Sequence, residues 1–295
     1  MGAPSDVIAA PWDQVDDAGR PKKQRRWSWR LLVLIPLGVV FLMPFWWMIV
    51  TSLLPNNQVF DYPPHLFPTH PQWQDFAKAW SQPDFPRYMF NSIFVSVAIV
   101  IGQLITSSLA AYSVARVRFT GRRFVYWLIL ATLMIPGQVT FIPVFLLMKQ
   151  LNWIDTYQAL IVPFIGSAFA TFWLVQSFRQ VPQVILDAAQ MDGAGHLWVL
   201  WRVVIPLCKP ALISVAFLNL VFHYNDFFWP LIVTQTNSMR TIPVGLSYLV
   251  ASDGSGTLWN ILMASSLIAI IPTLLLFLLG QRFFVQGTST TGLKD

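Results

Sequence analysis

Residues 31–54 read LLVLIPLGVVFLMPFWWMIVTSLL, 24 consecutive positions without a charge. As a helix at 1.5 Å per residue this run reaches about 36 Å, enough to cross a hydrocarbon core of about 30 Å. It is too long for the core of a secretory signal peptide, and Thr51-Ser52-Leu53-Leu54 lacks a small-x-small cleavage pattern. The reading is therefore a retained anchor. Five further apolar runs follow, at residues 88–115, 124–148, 157–178, 211–234 and 258–281. The expected fold is an all-α integral membrane protein of six transmembrane helices. Residues 1–30 form a basic N-terminal segment, 31–281 the transmembrane domain and 282–295 a tail.

Composition supports this. Of 295 residues 55% are hydrophobic and 11% charged, whereas a soluble domain carries about 25% charged residues. The single cysteine, Cys208, excludes an intrachain disulfide and any multi-cysteine metal site. A net charge of +6 invites a nucleic-acid reading, but the basic residues cluster beside the apolar runs. That pattern belongs to a membrane protein, so no nucleic-acid partner is expected. All thirteen acidic residues are Asp, for which we have no physical account.

An even number of spans puts both termini on one side. Arg20, Lys22, Lys23, Arg25, Arg26 and Arg30 precede the first span, Arg116, Arg118, Arg122 and Arg123 follow the second, and Arg179, Arg202 and Lys209 follow the fourth. The opposite face keeps only Lys78, Arg87, Lys149 and Arg240. By the positive-inside rule both termini face the cytoplasm. Residues 56–86 and 235–257 then lie outside, since irregular backbone in lipid would leave unpaired polar groups. Prolines 36, 44, 136, 143, 163, 230 and 272 interrupt the runs. Each removes a donor and can kink its helix, which either lines a cavity or is simply tolerated by neighbouring helices.

Between the fourth and fifth spans, residues 181–210 read VPQVILDAAQMDGAGHLWVLWRVVIPLCKP. Pro182 can open a helix through Ala189, Asp192-Gly193 supplies a turn, and residues 194–204 read as a second helix that Pro206 ends. Leu197, Trp198, Leu200, Trp201 and Val204 make an apolar stripe that needs a partner surface. Within the segment stand Asp187-Ala188-Ala189, three residues, Gly193, nine residues, then Val203, Val204, Ile205 and Pro206.

That spacing resembles the cytoplasmic signature of bacterial ABC importer permeases: EAA, three residues, G, nine residues, I, one residue, LP. The resemblance implies that the loop forms coupling helices seated in a cleft of an ATP-hydrolysing subunit. Asp187, Ala188, Ala189, Asp192, Gly193, Ala194 and Pro206 would then carry the coupling. Asp187 replaces the family glutamate and is one methylene shorter. Alanines permit close approach, and glycine lets the chain turn at positive φ.

Over nearly all residues from 31 onward the chain resembles the carbohydrate-uptake branch, in particular the second (MalG-type) permease of the maltose importer. The resemblance is carried by Tyr62-Pro63-Pro64, Asn91-Ser92, Ala110-Ala111-Tyr112 with Arg116, Met134-Ile135-Pro136, Asn225-Asp226 with Trp229-Pro230-Leu231, Arg240-Thr241 with Val244-Gly245-Leu246, and residues 281–287 with Gly292-Leu293-Lys294. It implies a second homologous permease forming a heterodimer, two ATP-hydrolysing subunits and an extracytoplasmic solute-binding protein in a bacterial inner membrane. Residues 250–258, with Ser252, Asp253, Gly254 and Ser255, would reach the binding protein, and the tail would touch the ATPases. No cofactor is expected in this chain, with ATP and Mg bound by the partner subunits.

Asp226 is the only acid expected well inside a span. A carboxylate near the bilayer centre costs roughly 2.5–3.5 kcal/mol and is by default a functional candidate. Tyr224, Asn225 and Asp226 are the translocation-path candidates, and on one continuous helix His223 and Asp226 would meet. The bland alternative is polar glue between helices. A secondary transporter driven by an ion gradient is the competing class, but a proton relay needs several intramembrane ionisable groups. No H-E-x-x-H, phosphate loop or nucleophilic triad is evident in the sequence, so no enzyme activity is expected of this chain.

Overall fold

The computed structural model describes residues 29–251 and 258–289. Every regular element among them is helical. Contacts divide the chain into two units, Met1–Trp47 and Met48–Asp295. Helix α1, Trp29–Leu53, carries Pro36 and Pro44 without interruption. In the first unit its apolar side chains are exposed all round, Leu32, Val40 and Phe41 among them, as a lipid-facing helix requires.

The second unit is organised along α3, Phe85–Arg116, which at 32 residues is about 48 Å long. Its Phe85 end packs on α13, Ile242–Ala251, and its body on α7, Ala168–Arg179, and α11, Lys209–Tyr224. Helix α2, Gln74–Trp80, lies against α14, Trp259–Ser289. Asp75 of α2 is buried, holds Lys78 at 2.7 Å and accepts the Asn260 amide at 2.6 Å. The ion pair and hydrogen bond together offset the desolvation of that carboxylate.

Among the described residues four helices are long and apolar enough to cross a membrane: Leu31–Leu53, Phe85–Arg116, Tyr157–Arg179 and Trp259–Leu278. The expected third span, 124–148, is instead two helices, α4 (Arg122–Leu133) and α5 (Gly137–Gln150), bent by 98°. Pro136 is the cause, because its extended ψ of 129° and missing N–H stop α4 and restart the helix at Gly137. The expected fifth span, 211–234, is also broken. Helix α11 stops at Tyr224, and α12 runs only over Phe228–Val233. Preceding α11, residues His196–Leu207 meet it at 82°. The spans number six only if each bent pair crosses once.

The fourth span stays within one run but is interrupted. Helix α6, Tyr157–Ile161, passes through a 3-10 turn at Val162–Phe164 and restarts as α7 after Gly166. Thr156 and Ser167 cap the two starts through Ala159 N and Ala170 N. Pro163 leaves Ala159 O to the Trp229 indole at 2.9 Å, and α3 bonds the carbonyls around the break from its own side chains. Gln103 Nε2 donates to Phe164 O at 2.8 Å, Thr106 to Ile165 O at 2.5 Å and Ser107 to Ser167 O at 3.3 Å. Gly102 lets the helices come this close, since a Cβ there would lie 2.9 Å from Ile165 Cγ2. Irregular backbone within a span is tolerated where protein side chains satisfy its carbonyls, as Gln103 and Thr106 do here.

Candidate functional site

The Arg116 end of α3 carries the segment expected to couple. Helix α8, Gln183–Met191, starts directly after Pro182, one residue later than expected, and runs past Ala189. Gly193 then turns the chain at φ +82°, a conformation that costs an ordinary L-residue about 1–2 kcal/mol. The second helix begins at His196 with α9 (His196–Val199), widens into a π-helical turn at Leu200–Val204 and continues as α10 (Ile205–Leu207). Pro206 therefore does not end it, contrary to expectation. It sits in the first positions of α10, where the wide turn before it keeps the preceding carbonyl off its ring.

The expected apolar stripe splits in two. Leu200 and Val204 are fully buried with Leu186 and Val199 against Ala111, Leu174 and Phe178. Leu197, Trp198 and Trp201 are exposed, as are Val184 and Met191, the latter at 89%. Four anchors burying roughly 1.5–3 kcal/mol each hold the segment to the bundle. The outward face is left apolar, which a surface in contact only with water would not favour. Asp187, Ala188, Asp192, Gly193 and Pro206 are all exposed, with Ala189 and Ala194 half-buried.

Asp187 accepts Gln183 Nε2 at 2.9 Å, and Gln183 Oε1 accepts Arg116 Nη1 at 3.2 Å. Arg116 also donates from Nε and Nη2 to Phe178 O, at 2.9 and 2.5 Å, and from Nη2 to Val181 O. One guanidinium thus reinforces Phe178 O, which also accepts Val181 N at 3.3 Å, and satisfies Val181 O just beyond α7. In the sequence Arg116 stands only as part of a motif, and its partners emerge only once α3 and α7 are packed.

The translocation-path candidates lie at the break between α11 and α12. Tyr224 is buried, its hydroxyl donating to Ala269 O at 2.7 Å, so it ties α11 to α14. Asn225 is exposed and donates to Val221 O at 2.8 Å. Asp226 is half-buried, and its carboxylate lies beside the backbone N–H groups of Phe228 and Trp229 at the start of α12. An acid two and three residues ahead of such N–H groups can cap a helix, although the residue directly before α12 is Phe227. The helical His223–Asp226 pair is therefore not formed. His223 is buried and pairs instead with Gln103, Nε2 to Nε2 at 3.0 Å. Gln103, an amide midway along the apolar run of α3, is the signal that sequence reading passed over.

If capping is the function of Asp226, Asp226→Asn keeps the acceptor and the thermal midpoint in detergent. Asp226→Ala should lower stability by about 1 kcal/mol, read as a drop in that midpoint. An unchanged midpoint with lost transport would instead put the carboxylate on the path.

At the Phe85 end of α3, residues 235–242 are pinned by polar contacts. Asn91 Nδ2 donates to Ser238 O at 2.8 Å and Arg240 O at 2.9 Å, while Tyr157 donates to Asn91 Oδ1 at 2.7 Å. Asp155 accepts Gln235 N at 2.8 Å, Thr236 N at 3.1 Å and the Thr236 hydroxyl at 2.7 Å. Burial alone would raise its carboxyl, but these donors and nearby Arg240 prevail and hold it below the usual carboxylate range. Ser252, Asp253, Gly254 and Ser255, the binding-protein contact candidates, lie outside the described residues, as does the N-terminal segment to residue 28. No group of three potential metal ligands occurs among the described residues.

The model of the binding-protein-dependent transport system inner membrane component family matches residues 103–288. The chain is 35% identical over 263 residues to the sn-glycerol-3-phosphate transport system permease protein UgpE of Yersinia enterocolitica, covering 87% of this chain and 91% of that one. It is 36% identical over 204 residues to the arabinooligosaccharides transport system permease protein AraQ of Halalkalibacterium halodurans, covering 69% and 72%. Its fold is similar to a chain in the crystal structure of a bacterial ABC transporter involved in the import of the acidic polysaccharide alginate, with TM-score 0.79, 24% identity, and 86% and 95% of the two chains covered.

Proposed function

Because the chain belongs to the family of binding-protein-dependent transport system inner membrane components, we propose that it is one permease subunit of an ATP-driven importer of a sugar or a related small solute. It pairs with a second homologous permease, receives solute from an extracytoplasmic binding protein and is driven by two ATP-hydrolysing subunits that bind ATP and Mg. Both termini lie in the cytoplasm of a bacterial cell whose inner membrane it spans.

The observation that carries this reading is the exposed segment around Gly193. Its inner face is locked into the bundle by Leu186, Val199, Leu200 and Val204, while Val184, Met191, Leu197, Trp198 and Trp201 face outward. A rigid knob with an apolar outer face is what a motor subunit can grip. Asp187 at its rim offers a carboxylate to a basic residue of that subunit. Through Gln183 and Arg116 the same knob is tied to the end of α3, the longest element of the bundle. Displacement of the knob therefore moves helices rather than a slack loop.

Transport in reconstituted vesicles should require ATP on the side of the Gly193 segment and carry solute towards that side, and a subunit with a phosphate-loop motif should co-purify with the chain. Uptake sustained by an ion gradient without ATP would overturn the assignment.

A further inference from the structure

Where α3 ends, the chain turns through residues 117–121 and re-enters the bundle as α4, which packs on α7. The arginines at this turn and at the end of α7 divide by what their N–H groups do. Arg116 and Arg122 are spent on backbone, Arg116 on Phe178 O and Val181 O and Arg122 on Val114 O at 2.6 Å and Ala115 O at 2.8 Å. Arg118, Arg123 and Arg179 are exposed. The ion pairs among the described residues, His65–Asp61 and Lys78–Asp75, involve none of them. Residues 85–154 contain no acid at all. Beyond Arg179 the next acids are Asp187, engaged by Gln183 at 2.9 Å, and Asp192, both on the coupling segment.

Arg179 is nonetheless held in place. Its guanidinium lies over the Tyr126 ring, 4.7 Å from the centroid, and Gln176 Nε2 donates to the Tyr126 hydroxyl at 2.8 Å. Arg123 stands three residues before Tyr126 on α4, so both cations neighbour one ring at the α4–α7 seam.

The surface next to these cations is apolar. Phe124 is 70% and Trp127 58% exposed, whereas Val125 and Ile129 of the same helix pack into the bundle. Trp127 lies four residues beyond Arg123 and so continues its strip of the helix. Cations that give way within one turn to bare aromatic surface match an amphiphile with an anionic head. An acidic protein surface would satisfy the charges and leave Phe124 and Trp127 uncovered.

We propose that the α4–α7 seam is a binding site for an anionic phospholipid of the inner leaflet, with its headgroup phosphate between Arg123 and Arg179, Arg118 beside them, and its acyl chains along Phe124 and Trp127. The placement in the inner leaflet rests on the importer reading, which puts the Gly193 end in the cytoplasm. The planar fork of arginine matches the oxygens of a phosphate. The net charge of a lipid such as phosphatidylglycerol adds an attraction that a zwitterionic headgroup lacks. A lipid seated there bridges α4 to the end of α7, next to the coupling segment.

The affinity of the first lipid bound is read by native mass spectrometry on the full chain with its co-purifying subunits in detergent, with phosphatidylglycerol and phosphatidylcholine of matched chains as probes. Phosphatidylglycerol should bind more than about tenfold tighter. Arg123→Gln or Arg179→Gln should each weaken it about fivefold, the effect of one charge near a membrane surface. Arg123→Lys should keep most of the affinity. Replacing Arg118, Arg123 and Arg179 together by Gln should remove the preference, whereas replacing Lys22, Lys23 and Arg25 of the N-terminal segment by Gln should leave most of it. Equal affinity for the two lipids, or equal losses in the two triple variants, overturns the proposal, the second because a diffuse field of charge would then do the binding. So does a seam variant that sheds the ATPase and keeps the lipid preference, since the cations would then serve an acidic protein. The comparison of the two lipids on the parent needs no variant and stands even where the triple variant fails to assemble. Lipid preference without ATP-driven uptake would sink the importer reading and leave the site intact, whereas ATP-driven uptake without lipid preference would do the reverse.

Discussion

Gly193→Val is expected to abolish ATP-driven uptake, to below about a hundredth of the parent rate, while Gly193→Asn retains most of it. The cause is conformational. Gly193 sits at φ +82°, and nothing lies within 4 Å of a Cβ built there. A loss on substitution cannot then be ascribed to a clash with the bundle. A β-branched residue is a genuine outlier at positive φ, while asparagine visits that region at modest cost. Valine would drive the turn into another geometry and swing α8 away from α9, taking Asp187 and Met191 out of register with Leu197, Trp198 and Trp201. A gripping surface built from two helices is lost when their angle changes, so the expected effect exceeds the roughly 1–2 kcal/mol of local strain. Uptake in proteoliposomes and co-purification of the ATPase read the two halves of this expectation. Valine at 193 with parental uptake and an intact complex would mean that the turn does not couple.

That turn was legible in the sequence because Asp192-Gly193 is a local signal and positive φ is a property of one residue. The membrane class was legible for the same reason, since an uncharged run of 24 residues such as 31–54 is its own evidence. Breaks inside spans were not. Pro136 bends its span by 98°, whereas Pro36 and Pro44 leave α1 continuous, and hydropathy treats all three alike. The neighbours differ: Gly137, which gives up the most conformational freedom in a helix, follows Pro136 at once, whereas Leu37 and Phe45 follow the other two. The local setting of Asp226 was hidden in the same way. Counted along an unbroken helix it faces His223, but Asn225 ends α11, and the carboxylate lies beside the start of α12 while His223 meets Gln103. The Gln103–His223 contact joins residues 120 positions apart, and no local pattern announces such a pair.

Arg116→Ala is expected to cut uptake at least tenfold and to lower the thermal midpoint of the assembled complex, with Arg116→Lys between alanine and the parent. Arg116 closes α3 and spends its guanidinium on Phe178 O, Val181 O and Gln183 Oε1. Each such hydrogen bond to a charged group is worth about 1.5–3 kcal/mol, and truncation leaves Val181 O without its donor and Phe178 O with only the Val181 N–H. Lysine restores a charge, which the negative end of α7 favours. It lacks the planar fork, so it cannot reach two carbonyls and an amide together. Gln183→Ala removes only the last link toward Asp187 and should lower uptake without moving the midpoint, because Gln183 is exposed. The double variant decides between a mechanical chain and two independent contacts. If Arg116 and Gln183 act in series, the uptake loss of Arg116→Ala is not deepened by adding Gln183→Ala. Strictly multiplicative losses would break the chain from Asp187 to α3 and leave the buried anchors Leu186, Val199, Leu200 and Val204 as the only carriers of motion into the bundle.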